Sequence, residues 1–171
     1  MKKIGFIAVM VFMGGCIQPG ITFIIPEGYK GEVTIFYNQD KGQPEKYEGG
    51  RRLLVIPPTG VLLTRFQIEH GNSRNYDYYY ISKDGKRKPL RIYSPDEMKN
   101  DTVMAKNNYG IFYNGTTGRY GALIENLPYE WFIVSNFKGL DKISSKESTE
   151  AYKKRMKEAV GYDFISSPSA N

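Results

Sequence analysis

The sequence predicts a mainly β protein, an antiparallel β-sandwich of about eight short strands followed by one C-terminal α-helix. Short apolar runs with alternating side chains recur between turns rich in glycine and proline. Aromatic residues make up 14% of the chain, which has 14 tyrosines, a residue type that suits half-buried sheet surfaces. The hydrophobic spacing changes to that of a helix only near the C-terminus.

The N-terminal segment has the order of features found in the leader of an exported protein. Lysines at positions 2 and 3 precede an apolar run from 4 to 13, and two glycines precede Cys16, the only cysteine. The run spans about ten residues, whereas a transmembrane helix needs ~20. Met13-Gly14-Gly15-Cys16 resembles the lipobox of bacterial lipoproteins. The resemblance implies that a signal peptide of residues 1–15 is cleaved between Gly15 and Cys16, and that Cys16 carries a diacylglycerol and an N-acyl chain.

The same resemblance implies a location for the protein. Two or more acyl chains hold a protein stably on a membrane, so residues 16–20 are expected to form a lipid-anchored tether. Ile17, and not an aspartate, follows Cys16, and no acidic cluster comes next. In lipoprotein sorting these features favour the periplasmic face of the outer membrane in a host with two membranes. No cofactor is predicted apart from the covalent acyl chains.

The composition indicates one exported domain. Removing 15 of the 171 residues leaves 156, with 22 of the 24 Lys and Arg against 18 Asp and Glu, a net charge of +4. We expect a single β-rich domain at 21–164 and a disordered tail at 165–171. With Cys16 acylated, the domain has no disulfide. A mild charge on an exported, tethered chain does not favour nucleic acid as a partner.

The first half of the chain shows the period of β-strands. Strands are predicted at 21–25, 32–37, 52–56, 61–68 and 76–81. In the second of these, odd-numbered residues share one face and even-numbered residues the other. Tyr76, Tyr78 and Tyr80 share one face of the last.

The second half continues with turn signals between β-like runs. Asp84-Gly85 is typical of a hairpin turn, and its partner strand is predicted at 90–93. Further strands are predicted at 109–113, at 120–125 after a turn at 114–118, and at 131–137.

A helix is then predicted at about 145–160. Ser144 and Glu147 fit a capping box at its start, and Gly161 ends it. An apolar stripe on this helix is predicted to pack on the sheet: Tyr152, Met156, Ala159 and Val160.

The segment Ile25–Phe36 resembles the opening of a family of uncharacterised bacterial lipoproteins, which share an Ile-Pro-Glu-Gly-Tyr start and a later Ile-Pro-x-x-Gly turn, here Ile56–Gly60. This resemblance spans residues 21 to about 137, best over 25–66, and implies fold and location without an activity. Gly42-Gln43-Pro44 and Pro58-Thr59-Gly60 are similar to loops of transthyretin-like and carboxypeptidase-regulatory sandwiches, which are Ig-like in architecture. Such modules are usually non-catalytic.

No catalytic residue and no metal ligand set is predicted. His70 is the only histidine, which excludes a histidine-rich metal site, and no nucleophile motif accompanies it. The carboxylates lie in no glycosidase or calcium-loop signature. The chain is therefore expected not to be an enzyme, and a hydrolase is the least favoured alternative.

Two features of the sequence have recognition potential. Tyr76, Tyr78, Tyr80, Tyr93 and Tyr113 form a possible binding surface, or else fill the core. Basic residues cluster at 83–91 and at 153–157, either as solvated surfaces or as contacts with anionic lipid headgroups or an anionic glycan.

The favoured function is a non-catalytic module of the cell envelope that binds another envelope protein. The alternative is a module that binds carbohydrate or peptidoglycan through the tyrosine surface. A groove with polar residues beside aromatic rings would favour a sugar, and a flat exposed apolar patch would favour a protein partner.

Overall fold

The computed structural model describes residues 19–68, 75–94, 97, 108–120 and 127–161, and for 113–120 the backbone alone. The strands are β1 (Ile21–Pro26), β2 (Gly31–Phe36), β3 (Tyr47–Glu48), β4 (Arg51–Val55), β5 (Val61–Leu63), β6 (Tyr76–Ile81), β7 (Arg87–Pro89), β8 (Arg91–Ile92), β9 (Gly110–Tyr120) and β10 (Leu127–Ser135). The helices are α1 (Phe137–Ile143) and α2 (Lys146–Val160).

The strands form two five-stranded sheets. Sheet 1 has the order β3-β4-β1-β6-β7, and sheet 2 has the order β5-β2-β10-β9-β8. The predicted mainly β, sandwich-like fold with a C-terminal helix is confirmed. The sheets are mixed, however, and not antiparallel throughout, because β1 runs parallel to both β4 and β6, as β2 does to β5. The chain leaves sheet 1 for sheet 2 after β1 and returns through β3 to β4; it leaves again after β4 and returns as β6. Both β4 and β6 therefore run in the direction of β1, whereas β3 runs in the opposite direction.

The main hydrophobic core lies between the sheets. As predicted, Val33, Ile35 and Tyr37 share one face, and the structure shows that this face points into the core. On sheet 1, Phe23 stacks on Tyr78 with ring centroids 4.8 Å apart. The same core contains Ile21, Ile25, Leu54, Ile56, Leu62, Phe66, Tyr80, Leu90, Ile111, Phe132 and Val134.

Both helices cover the outer face of sheet 2. The stripe predicted on α2 does pack on the sheet, since Met156 is buried against Phe36 and Val61, with Tyr152, Ala159 and Val160 beside it. The helix begins at Lys146 with Ser145, one residue after the predicted cap, accepting a hydrogen bond from the Ser148 amide. Gly161 ends it with a φ of 83°.

Several predicted elements differ from the structure. The partner of β6 after the turn at Asp84-Gly85 is β7 and not the strand predicted at 90–93, because Arg91 and Ile92 cross to sheet 2 and pair with β9. The strand predicted at 61–68 ends at Leu63. The turn predicted at 114–118 lies within the single strand β9, because β10 is long enough to pair with it from Gly110 to Tyr120 around an irregularity between Trp131 and Ile133. The strand predicted at 131–137 ends at Ser135, where the Asn136 side chain caps α1. Helix α1 packs Ile143, Phe137 and Leu140 against Tyr93, Phe112 and Ile133.

Candidate functional site

Most tyrosines of the possible binding surface lie inside the protein in the structure, as in the core-filling alternative that the sequence left open. Tyr78, Tyr80 and Tyr93 are buried, with 2%, 7% and 5% of their surface exposed, and Tyr76 packs half-buried against the main core. Two of the hydroxyls donate hydrogen bonds inside the protein: Tyr80 to the Tyr29 carbonyl at 2.7 Å, and Tyr76 to the Glu130 carboxylate at 2.5 Å. Burial raises the pKa of Tyr80 to about 12. The side chain of Tyr113 lies outside the described residues, as do Gly15, Cys16 and His70.

Exposed apolar side chains in the described part of the chain are dispersed. The large ones are Tyr47, Val55 and Ile92, at 50%, 40% and 37% exposure. Tyr47 pairs with Arg52, so Val55, three residues further along β4, points to the opposite face of sheet 1. Ile92 belongs to sheet 2. The described residues therefore offer no flat apolar patch for a protein partner.

The structure instead forms a cleft between α2 and the outer face of sheet 2, which we call the aromatic cleft. Its volume is about 210 Å³, and its lining consists of Glu32, Thr34, Tyr129, Trp131, Tyr152, Lys153 and Met156. Trp131 lies opposite Thr34 across the β2–β10 pair, and Tyr129 lies opposite Phe36. Since neighbours in register share a face, the alternation of both strands turns these side chains toward the helix.

Polar groups stand beside the rings of the aromatic cleft. The hydroxyls of Thr34 and Tyr152 share a hydrogen bond that joins sheet to helix. Burial raises the pKa of the Glu32 carboxyl, and the charge of Arg155 opposes this rise. Lys153 pairs with Glu150 at 3.0 Å on the exposed side of α2. The cleft thus combines aromatic faces with a carboxylate and hydroxyls.

A second cavity of about 510 Å³ adjoins the other side of α2, and we call it the basic groove. Its lining includes Lys30, Lys138, Lys142 and Arg155, together with Ser135 and Asn136. Tyr109 also lines it, and the Lys30 ammonium stands 4.9 Å from the centre of that ring.

The basic clusters noted in the sequence have different surroundings. The cluster at 83–91 is balanced by acids, since Lys86 pairs with Asp84 at 2.8 Å and Arg87 with Glu48 at 2.5 Å. The bond to Arg87 holds the pKa of the Glu48 carboxyl below its usual range. In the cluster at 153–157, Arg155 turns toward the sheet and stands 5.6 Å from the centre of the Tyr152 ring.

Glu130 is a buried carboxylate that sequence reasoning missed. It is 1% exposed and accepts hydrogen bonds from the Tyr37 hydroxyl at 2.7 Å and the Tyr76 hydroxyl at 2.5 Å. Its position between the sheets closes it to a substrate, so this cluster holds the sheets together. The alternation of residues along β10 predicts that the Glu130 side chain points inward. Because a charged residue is normally expected on the surface, the sequence alone did not indicate that Glu130 is buried.

Within the described ranges, no group of three or more His, Cys, Asp or Glu side chains could hold a metal ion. No helix in those ranges is long and apolar enough to span a bilayer.

Residues 20–139 match a family of unknown function, DUF6843. Among solved structures, the chain is similar to a candidate lipoprotein from Bacillus anthracis, with a TM-score of 0.58 and 14% identity over 86% of this chain and 97% of that one. At this identity the likeness shows a shared fold. No curated protein matches the sequence significantly. The matched residues include all the strands described above and the start of α1, whereas α2 lies after the end of the match. Because the match covers more than half of the chain, the protein belongs to this family of unknown function.

Proposed function

We propose that the protein is a lipid-anchored, non-catalytic module of the cell envelope that binds carbohydrate in the aromatic cleft. The lipobox-like Met13-Gly14-Gly15-Cys16 supports the anchor. The similar Bacillus anthracis structure, described as a candidate lipoprotein, is consistent with the same class. In a host with two membranes, the residue after Cys16 favours the periplasmic face of the outer membrane.

The observation that carries the proposal is the combination of rings and polar groups in one cleft. Sugars present apolar C–H faces and hydroxyl edges, so they stack on aromatic rings and exchange hydrogen bonds with carboxylates and hydroxyls. The cleft provides Trp131 and Tyr129 as rings, and Glu32 and Thr34 as polar partners. Its volume of about 210 Å³ suits one sugar ring better than a folded partner.

The alternative, docking of an envelope protein, has less support in the structure. Such docking draws on a contiguous apolar patch. The exposed apolar side chains of the described residues lie on separate faces and sheets. We therefore place carbohydrate ahead of a protein partner, which reverses the order that the sequence favours.

Binding of soluble oligosaccharides to the domain from residue 19 onward tests the proposal. Calorimetry is run on the wild type, on Trp131→Ala and on Tyr47→Ala, which removes an exposed aromatic ring outside the cleft. We expect Trp131→Ala to weaken binding by about tenfold or more, because truncating an aromatic anchor of a binding site costs ~2 kcal/mol or more. Tyr47→Ala should bind like the wild type.

Trp131 also packs beside α1, so circular dichroism must show that the variant is folded. Tyr152→Phe is a milder variant, because it keeps the ring and removes only the hydroxyl bonded to Thr34. Equal affinity of the wild type and both cleft variants would contradict the proposal, as would a wild type that binds no sugar.

The anchor has a separate test in the full-length chain. We expect the protein in the membrane fraction, labelled by a fatty-acid probe, and Cys16→Ser unlabelled and released from the membrane. Separating inner and outer membranes then checks the proposed location. Recovery of unlabelled wild-type protein would argue against lipidation.

A further inference from the structure

The basic groove is lined by cationic side chains without acidic side chains among them. Lys30, Lys138, Lys142 and Arg155 line it, and its lining contains no aspartate or glutamate among the described residues. None of the ion pairs found in the described part of the chain involves these four side chains. Cations held around one concave space without acids attract an anion.

Arg155 connects this groove to the aromatic cleft. It lines the groove, and three residues earlier on the same face of α2 Tyr152 lines the cleft. Its Nε is buried and has no hydrogen-bond partner within the described structure. On the cleft side its charge acts on Glu32 and on Tyr152. A ligand that enters both cavities passes this guanidinium, which is suited to carboxylate and phosphate.

The strands also bring the two cavities together. Gly31 lines the groove and Glu32, the next residue of β2, lines the cleft. Ser135 of β10 lines the groove, while Trp131 of the same strand lines the cleft. Four residues of extended strand span ~13 Å, about the length of a disaccharide or trisaccharide.

We infer that the ligand of the aromatic cleft is an acidic glycan whose carboxylate or phosphate lies in the basic groove. This rests on the proposed carbohydrate binding and adds the class of sugar. The ring stacks in the cleft, and the acidic group is bound by Arg155 and the lysines of α1.

The position of the groove separates this ligand from the lipid headgroups of the protein's own membrane. The tether leads into Ile21 at the start of β1, whereas the groove includes Lys30 and Gly31, which follow the end of β1. The six residues of β1 cover ~20 Å. An anchor at Cys16 therefore places the groove at the pole that faces away from the bilayer.

Calorimetric titration with three oligosaccharides of equal length tests the inference: an oligogalacturonate, a neutral galactose oligomer and a sugar-phosphate oligomer. The proteins are the wild type, the double variant Lys138→Ala/Lys142→Ala, and the control Lys83→Ala/Lys88→Ala. All four substituted lysines are exposed, and both double variants change the net charge equally.

We expect the wild type to bind at least one acidic oligomer about tenfold more tightly than the neutral one, with an affinity that falls as salt is added. The variant in α1 should lose this preference and bind the neutral oligomer as before. The control should keep it. Comparing oligogalacturonate with the sugar phosphate identifies the acidic group.

Other results overturn the inference in distinguishable ways. Equal affinity for acidic and neutral oligomers would refute the acidic class and leave carbohydrate binding standing. An equal loss in both double variants would show that net charge alone acts. Absence of binding to all three oligomers would count against the proposed function itself. Vesicles of phosphatidylglycerol that bind through Lys138 and Lys142, without any oligomer binding, would assign the groove to a membrane.

Discussion

Glu130 shows how a single charged residue contributes to this core. Its two carboxylate oxygens accept from tyrosines on different sheets, Tyr37 following β2 and Tyr76 on β6. A buried carboxylate is costly unless its oxygens accept hydrogen bonds, and here both do. The arrangement fixes the two sheets relative to each other at one point.

Replacing Glu130 with alanine should destabilise the protein strongly. The change removes the acceptor of both tyrosine hydroxyls and leaves a cavity, so we expect a loss of ~3 kcal/mol or more in the free energy of unfolding. Tyr76→Phe deletes one of the two bonds and should cost ~1 kcal/mol. Urea denaturation measures both values, and a loss below ~1 kcal/mol in Glu130→Ala would show that the cluster matters little.

Gly60 is restricted both by its backbone conformation and by the atoms that surround it. Its φ is +78°, and an added Cβ would meet the Tyr29 hydroxyl and the Glu32 carbonyl oxygen, the latter at 2.7 Å. Gly85 has a φ of +82° with nothing within 4 Å of such a Cβ, so it is a matched control. We expect Gly85→Ala to cost ~1 kcal/mol and Gly60→Ala clearly more. Equal midpoints in thermal melts would mean that Tyr29 moves aside freely.

At the residue scale, the alternation in Tyr76–Ile81 predicts which tyrosines share a face. It does not predict whether that face is inside, since tyrosine suits both a core and a wet surface. The structure decides this through Phe23 and Phe132, whose rings pack on Tyr78 at 4.8 and 5.0 Å.

At the scale of elements, α2 is both a cover for sheet 2 and a wall of the aromatic cleft. Its spacing of apolar residues and its terminal Gly161 were sufficient to predict its extent and its buried stripe. The pairing of β9 was harder to predict. Asn114-Gly115 favours a turn locally, yet β10 offers partners along the length of β9, and those tertiary pairs prevail over the local preference.

Met156→Ala should loosen α2 from the sheet. Met156 is 3% exposed and contacts the cluster of Phe36 and Val61, so its truncation should cost ~2–4 kcal/mol. Glu158→Ala, an exposed change on the same helix, should stay within ~0.5 kcal/mol of the wild type. Chemical denaturation compares them, and similar values would indicate that α2 contributes little to the fold.

At the scale of the whole molecule, the chain forms three layers: sheet 1, sheet 2 and the pair of helices. The sequence predicts the β content and helix α2 of the last layer, because both follow from local spacing, but it does not predict α1. It does not predict the parallel pairs or the aromatic cleft. The cleft joins residues about 100 positions apart, from β2, β10 and α2, and only the topology brings them together.

Stability of the whole domain should fall at alkaline pH. Burial raises the pKa of Tyr29 and of Tyr80 from 10.0 to about 12. Their contribution is complete below pH 10.0, where both states are protonated, and is lost as pH rises toward about 12, because the unfolded state then releases protons first.

Denaturation across this pH range should show a steep decline that Tyr29→Phe makes shallower. Tyr47→Phe, which changes an exposed tyrosine, should keep the wild-type slope. A slope unaffected by Tyr29→Phe would contradict the assignment.

The central place of β1 in sheet 1 has a mechanical consequence. A lipid tether would pull on Ile21 along the axis of a strand that is hydrogen-bonded to a parallel neighbour on each side. That pull loads the two ladders in shear, so their bonds resist together and do not open one by one. If a wall polymer is held at the opposite pole, tension between membrane and polymer enters the domain through a strand that is paired along both of its edges, and such a strand resists being pulled out along its axis.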